Sequence, residues 1–256
     1  GRGILDGYSY PRFKGPTRYP VLLENCRDVT VEGIVIKDGW SWTFVPRACD
    51  GVRVDNIKLL CARVENGDGF DPVNSRQVSL VNSFIRSDDD CIALKGLDFG
   101  GEGTDADVDG ITVENCALWC DRARIFLLGH ESRAKFMRNV RAENLDIIHF
   151  AMTPFLLEPG EEMRLEDVTF ASIRLHGEGQ RSLVVVRPVV NQYMRTRVPG
   201  TPIKRPISSP NSRSNTFSMP TTSRTSRPAR TGSPLRQVFL RAWIRTGAAP
   251  WRAPHL

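Results

Sequence analysis

From Val29 to about Leu175 the chain alternates apolar and polar residues in short runs, and the runs recur. Val29-Thr-Val-Glu-Gly-Ile-Val-Ile, Val52-Arg-Val-Asp-Asn-Ile-Lys-Leu, Val78-Ser-Leu-Val-Asn-Ser-Phe-Ile, Ile111-Thr-Val-Glu-Asn-Cys-Ala-Leu, Val140-Arg-Ala-Glu-Asn-Leu-Asp-Ile and Val168-Thr-Phe-Ala-Ser-Ile-Arg-Leu follow one another in steps of 23, 26, 33, 29 and 28 residues. Period-two alternation is the mark of a strand with one buried face. The polar or small pair near the middle of each run reads as a bend between two short strands. A second series follows the first: WTFVPR from Trp42, GFDPVN from Gly69, CIALKG from Cys91, RIFLLG from Arg124, PFLLEP from Pro154 and LVVVRP from Leu183. No stretch carries a helical period. Two or three short strands in each turn of roughly 20–30 residues predict an all-β, single-stranded, right-handed parallel β-helix. A β-sandwich also recurs at short intervals, but it does not repeat a Glu-Asn bend at coil spacing.

One coil cannot bury its apolar side chains alone, so coils stack and their inward residues form a column. Val29, Ile34, Ile57, Leu80, Ile85, Ile92, Leu94, Ile111, Val113, Ile125, Leu127, Val140, Leu145, Ile147, Val168 and Ile173 are expected to form it. The long step of 33 contains a Gly- and Asp-rich spacer, Leu97 to Asp109. It is expected to be a loop walling a groove; its acids could bind calcium, though without the regular spacing of an EF-hand.

The pattern ends near residue 190. The chain therefore divides into a β-helix over 1–190, expected to lack its start and its last coils, and a tail over 191–256. From Thr196 onward the tail has eleven of the 35 Lys and Arg and none of the 29 Asp and Glu, so the formal charge of +6 belongs to it; 24 basic and 29 acidic residues remain in the body. A Pro-, Ser-, Thr- and Arg-rich stretch of this kind cannot bury a core. The tail is expected to be irregular or disordered, or to be an out-of-frame reading. The six cysteines lie in the first half without a close C-x-x-C pair, which argues against zinc, and Cys91 and Cys120 could form a bridge.

Two acidic clusters fall one coil apart: Asn66-Gly67-Asp68-Gly69-Phe70-Asp71 and Asp88-Asp89-Asp90-Cys91. Neighbouring strands lie ~4.8 Å apart, so Asp68 is expected beside Asp89 and Asp90. Carboxylates gathered so closely push at least one pKa upward, and split values let them divide acid and base work.

These clusters resemble the motifs of glycoside hydrolase family 28, the polygalacturonases and their relatives in the pectin-lyase-like β-helix superfamily. Asn66 to Asp71 is similar to Asn-Thr-Asp-Gly-x-Asp, and Asp89 to Lys95 is similar to Gly-Asp-Asp-Cys-x-x-(Ile/Leu)-Lys. The resemblance covers roughly residues 1–190. It implies cleavage of a plant cell wall or microbial polysaccharide with inversion, Asp90 as general acid and Asp68 with Asp89 activating water. It also implies no cofactor or metal, a secreted or periplasmic location, and a monomer whose partner is a polysaccharide rather than a nucleic acid or a membrane. Lys95, Asp71, Arg122 and Arg124 are the expected substrate contacts, with pairing between Lys95 and Asp71, a turn or supporting place for Asp71, and solvated loop charges for the two arginines as the other roles open to them.

The sequence departs from the family in two places. Arg124 stands where the histidine of the family's Gly-His-Gly falls, leaving His130 outside that position, and the later Arg-Ile-Lys has no counterpart. The segment from Leu128 also resembles dextranase-like enzymes acting on neutral glucans. Glu131 is either a further sugar contact or a surface ion pair, and Trp40, Trp42 and Phe44 either stack on sugars or pack inside. A polysaccharide lyase of the same architecture, and a carbohydrate-binding β-helix without activity, are the other readings.

Overall fold

The computed structural model describes residues 2–8, 19–97, 106–160, 163–176, 182–188, 216–217 and 244–245. All regular structure among them is strand, and the strands stack into three parallel ladders. One ladder joins Arg27–Glu32, Asp50–Asp55, Arg76–Val81, Val108–Glu114 and the first halves of Phe136–His149 and Arg164–Leu175. A second joins Ile4–Asp6, Val35–Lys37, Lys58–Cys61, Phe84–Ser87, Ala117–Cys120 and the second half of Phe136–His149. The third runs through Val21–Glu24, Phe44–Arg47, the bridging residues Phe70 and Val73, Ile92–Leu94, Phe126–Leu128, Phe155–Leu157 and Val184–Val186. Each coil visits all three ladders in turn, and the two recurring series of the sequence are these strands. The fold is the right-handed parallel β-helix.

The Glu-Asn pairs are corners. Gly33, Asn56, Asn82, Asn115, Asn144 and Ser172 all adopt positive φ, between 50° and 69°. Asn tolerates this left-handed region because its short amide bonds locally. The amides also bond one another from coil to coil: Asn82 Nδ2 donates to Asp55 Oδ1 at 2.9 Å, Asn115 Nδ2 to Asn82 Oδ1 at 3.3 Å and Asn144 Nδ2 to Asn115 Oδ1 at 2.6 Å. Asn115→Val combines a branched side chain at φ 54° with the loss of two ladder bonds. We expect it to cost about 2 kcal/mol in urea unfolding. Asn115→Gly keeps the backbone angle and should cost less than half of that.

Inside, Phe44, Phe70, Ile92, Phe126 and Phe155 form one column of the core, with Phe44 and Phe70 rings 5.5 Å apart and Phe155 packed on Phe170 at 4.6 Å. Most of the expected inward residues belong to this core. Leu127 does not: it points out of the third ladder and forms a separate cluster with Ala93 and Leu156. The alternation along CIALKG explains it, since Ile92 and Leu94 face in, leaving Ala93 and the registered Leu127 on the outer face. Val29 and Ile34, near the first coils, are only half-buried.

All six cysteines are free thiols, Cys91 and Cys120 included. Of the spacer, residues 98–105 lie outside the described residues, and so do the groove wall and calcium site expected there. Its described acids serve the fold: Asp107 Oδ1 accepts from the Lys135 and Phe136 amides, and Asp109 pairs with Arg138. The expectations for 191–256 fall outside the described residues, except that Thr216–Phe217 and Ile244–Arg245 pair with Val184–Val186 and Arg164–Leu175.

Candidate active site

The turn after Lys58–Cys61 is tight enough to demand glycine. A Cβ on Gly67 would stand 2.5 Å from the Cys61 carbonyl oxygen, and one on Gly69 2.5 Å from the Cys91 carbonyl oxygen and 2.6 Å from Ile85 Cγ2. The two glycines thus let the chain press against the next coil with Asp68 between them. From there the third ladder fixes the order of side chains. Thr43 N donates to Asp68 O at 3.0 Å, Gly69 N to Asp90 O at 2.9 Å and Cys91 N to Arg124 O at 3.0 Å. Asp68, Asp90 and Arg124 therefore occupy the same place in three successive rungs. Asp89 joins them through its amide, which donates to Gly67 O at 3.4 Å. Behind Asp89, the Cys120 thiol donates to its carbonyl oxygen at 3.1 Å.

Asp68 and Asp90 are only 2% and 3% exposed, whereas Asp89 is half-exposed and open to water. Burial, the neighbouring charges of Asp68 and Asp89 adding to it, pushes the Asp90 carboxyl up to about 8 against the pull of Arg124 and Lys95. One Asp90 oxygen accepts the Arg124 amide at 3.1 Å, with the Arg124 guanidinium 3.6 Å away. Burial also raises Asp68 and Asp71 above the usual carboxylate range, with Lys95 opposing it in both.

Lys95 and Asp71, two of the residues expected at substrate, are as deeply buried as Asp68 and Asp90. Asp71 is fully buried. Lys95 Nζ lies 3.3 Å from Asp68 Oδ2, 3.6 Å from Asp71 Oδ1 and 3.7 Å from Glu131 Oε1, with the Trp42 ring centroid 3.5 Å away. Burial lowers its proton affinity, and the carboxylates around it more than reverse that. Lys95 thus takes its other expected role and pairs with Asp71, and with Asp68 besides.

Arg122 lies apart from Asp90. It is half-exposed and pairs with Asp88 at 2.7 Å and Glu65 at 3.2 Å. His130 also lies apart and bonds through Nδ1 to Glu158, which Arg187 holds from the other side. Glu131 is the ion-paired member at the rim. Phe44 belongs to the core, and Trp42 packs between Lys95 and the Tyr19 ring, whose centroid is 5.4 Å away. Trp40 holds the Arg63 guanidinium 4.1 Å from its ring centroid. Neither the Trp42 to Lys95 contact nor the buried Glu158 stands out in the sequence; both arise from side chains of different coils meeting on the outer face. Among the described residues no His, Cys, Asp and Glu group is arranged to hold a metal ion, and no helix is long and apolar enough to cross a membrane.

The family model for glycosyl hydrolases family 28 matches residues 14–98. Among curated proteins, the "Putative galacturan 1,4-alpha-galacturonidase C" of Aspergillus niger is 25% identical over 59% of this chain and 37% of its own length. An exopolygalacturonase of Arabidopsis thaliana is 24% identical over 59% of this chain and 42% of its own, and the "Probable exopolygalacturonase B" of Aspergillus terreus 30% over 47% and 29%. The chain thus spans well under half the length of these relatives. No solved structure matches it. The matched residues 14–98 are the segment that carries Asp68, Asp71, Asp89, Asp90 and Lys95, so the chain is similar to glycosyl hydrolases family 28 where its buried acids lie.

Proposed function

We propose that this β-helix hydrolyses glycosidic bonds of a galacturonate-containing polysaccharide with inversion at the anomeric carbon. Asp90 protonates the departing glycosidic oxygen, and Asp89 and Asp68 draw the proton from the attacking water. The observation that carries this reading is the state of Asp90: a carboxyl pushed up to about 8 holds its proton at neutral pH, one rung from Asp68. An acid poised near the working pH transfers that proton efficiently. Asp89 is the member of the water-activating pair that water can approach, since Asp68 is buried and Asp89 is not. Arg124, beside Asp90 and partly exposed, is the cation placed to meet a uronate carboxylate. The names of the relatives, exopolygalacturonases and a galacturonidase, support galacturonan as the polymer.

A neutral glucan is the second reading, and one observation favours it. Arg122 is already matched by Asp88 and Glu65, so a substrate carboxylate has to compete for it. Reducing-sugar release from polygalacturonate, oligogalacturonides and dextran separates the two. From an α-1,4-galacturonan the first product should be the β-anomer by proton NMR. Unsaturated, ultraviolet-absorbing products would assign the site to a lyase instead. Sugar binding without release of reducing ends from any polymer would make it a binding site.

A further inference from the structure

Lys95 carries more than a fold-stabilising charge. Its side chain is 4% exposed and its ammonium lies among three carboxylates and an indole ring. Asp68 and Asp71 approach from the turn before the third ladder, Glu131 from the turn after Phe126–Leu128, and the face of Trp42 from the coil below. Trp42 is itself backed by Tyr19, so the ammonium is wedged rather than free to swing.

Building on the acid/base reading above, we propose that Lys95 is a positioning residue: a buried ammonium that draws the Asp68 carboxyl toward its ionised form at the foot of the site, against its burial, and never touches substrate. Asp68 and Asp71 are neighbouring buried carboxyls competing for one cation, and both oxygens of Asp71 are without a hydrogen bond. The bridge to Asp68 is the shorter, so the charge is directed to the carboxyl that adjoins Asp89 and Asp90 and opposes the burial that raises it. An ammonium suits this place because it is a compact point charge shared among several oxygens, where a guanidinium would impose a planar fork. Glu131, at the rim, draws on the same ammonium and so opposes the effect on Asp68. The other charged and titratable groups that bear on the cluster are Asp90, Asp89 through Asp68, Arg124 through Asp90, and the Cys61 thiol behind Asp68 and Asp71.

The test follows Asp68 directly, without turnover. The carboxyl carbon of Asp68 in the 13C-labelled full chain, assigned by its loss in Asp68→Asn, is titrated in three proteins. Lys95→Met should raise the Asp68 midpoint by about one pH unit or more, and Glu131→Gln, which removes a like charge, should lower it by a few tenths. Shifts of opposite sign are not expected from a lysine that merely fills space. With turnover on polygalacturonate, KM should change less than about threefold in Lys95→Met while the acidic limb of kcat moves with the midpoint. An unmoved Asp68 midpoint in both variants overturns the proposal, as does a KM at least about tenfold higher with that midpoint unmoved, which marks a substrate contact. Should Lys95→Met not fold, Glu131→Gln decides alone, and an unmoved midpoint there is sufficient to reject it. A chain that cleaves no glycan tells against the hydrolase reading and leaves the titration result standing.

Discussion

Replacing Asp90 by Asn is expected to lower turnover on polygalacturonate by at least ~100-fold, the usual loss when a positioned proton donor is removed. The substitution is nearly isosteric, and the Asp90 pocket is built largely of backbone and buried groups, so the fold should survive it. What changes is the chemistry. A carboxyl at about 8 delivers a proton to the leaving oxygen as the bond breaks; an amide does not. The amide oxygen can still accept the Arg124 amide, so KM should move little. The same assignment predicts the alkaline side of the wild-type profile. Asp90 is protonated below about 8, so kcat should fall as pH rises through that value. An aryl glycoside whose phenolate departs without protonation should restore Asp90→Asn to within roughly tenfold of the wild type on the same substrate. Unchanged turnover in Asp90→Asn, or no rescue by the better leaving group, removes Asp90 from the role of acid.

The two aspartate clusters were legible because the feature that matters there is local. Glycines on either side of Asp68 are needed for close backbone approach, and the one-coil interval to Asp89 places the acids in adjoining rungs. The Asn corners were legible for a similar reason, since one residue type recurs at a position needing positive φ. A second column of left-handed residues went unseen: Asp28, Gly51, Gln77, Gly110, Asn139 and Asp167 share the conformation without sharing a chemistry. Backbone pairing holds Gln77 there at φ 51° against its preference, and no pattern of letters announces it. The roles of Lys95 and Asp71 were likewise hidden. Sequence places both next to Asp68, Asp89 and Asp90, but whether a side chain meets solvent or a neighbour depends on Trp42 and Glu131, which come from other coils. Leu127 fails for the opposite reason: its hydrophobicity suggested the core, while strand alternation puts it on the outer face among Ala93 and Leu156.

The buried acids also set how stability should depend on pH, with a sign opposite to that of a protein held by surface ion pairs. Asp90 is raised in the folded state to about 8 from an ordinary value of 3.8, and Asp68 and Asp71 are raised with it. A raised carboxyl binds its proton more tightly folded than unfolded, so its stabilisation is complete below about pH 4 and is lost as pH climbs toward 8. The loss is about 1.4 kcal/mol for each pH unit over which one such group is protonated only when folded. Asp6, Asp55, Asp109, Asp146 and Glu158 are lowered by their partners. Their contribution is complete above the unfolded value and disappears only in acid; most of these groups are exposed enough for solvent to screen it. Lys95 is raised above its ordinary 10.5, so its contribution stays constant between pH 5 and 8. Stability should therefore peak near pH 4 and decline toward pH 8, with the thermal midpoint at least ~5 °C lower at pH 8. Calorimetry of the wild type and of Asp71→Asn checks it. The variant has no carboxyl at position 71 to titrate, so it should lose part of the slope and gain stability chiefly at pH 8. A wild-type midpoint that rises from pH 5 to 8 would mean that these three carboxyls are not buried together as described.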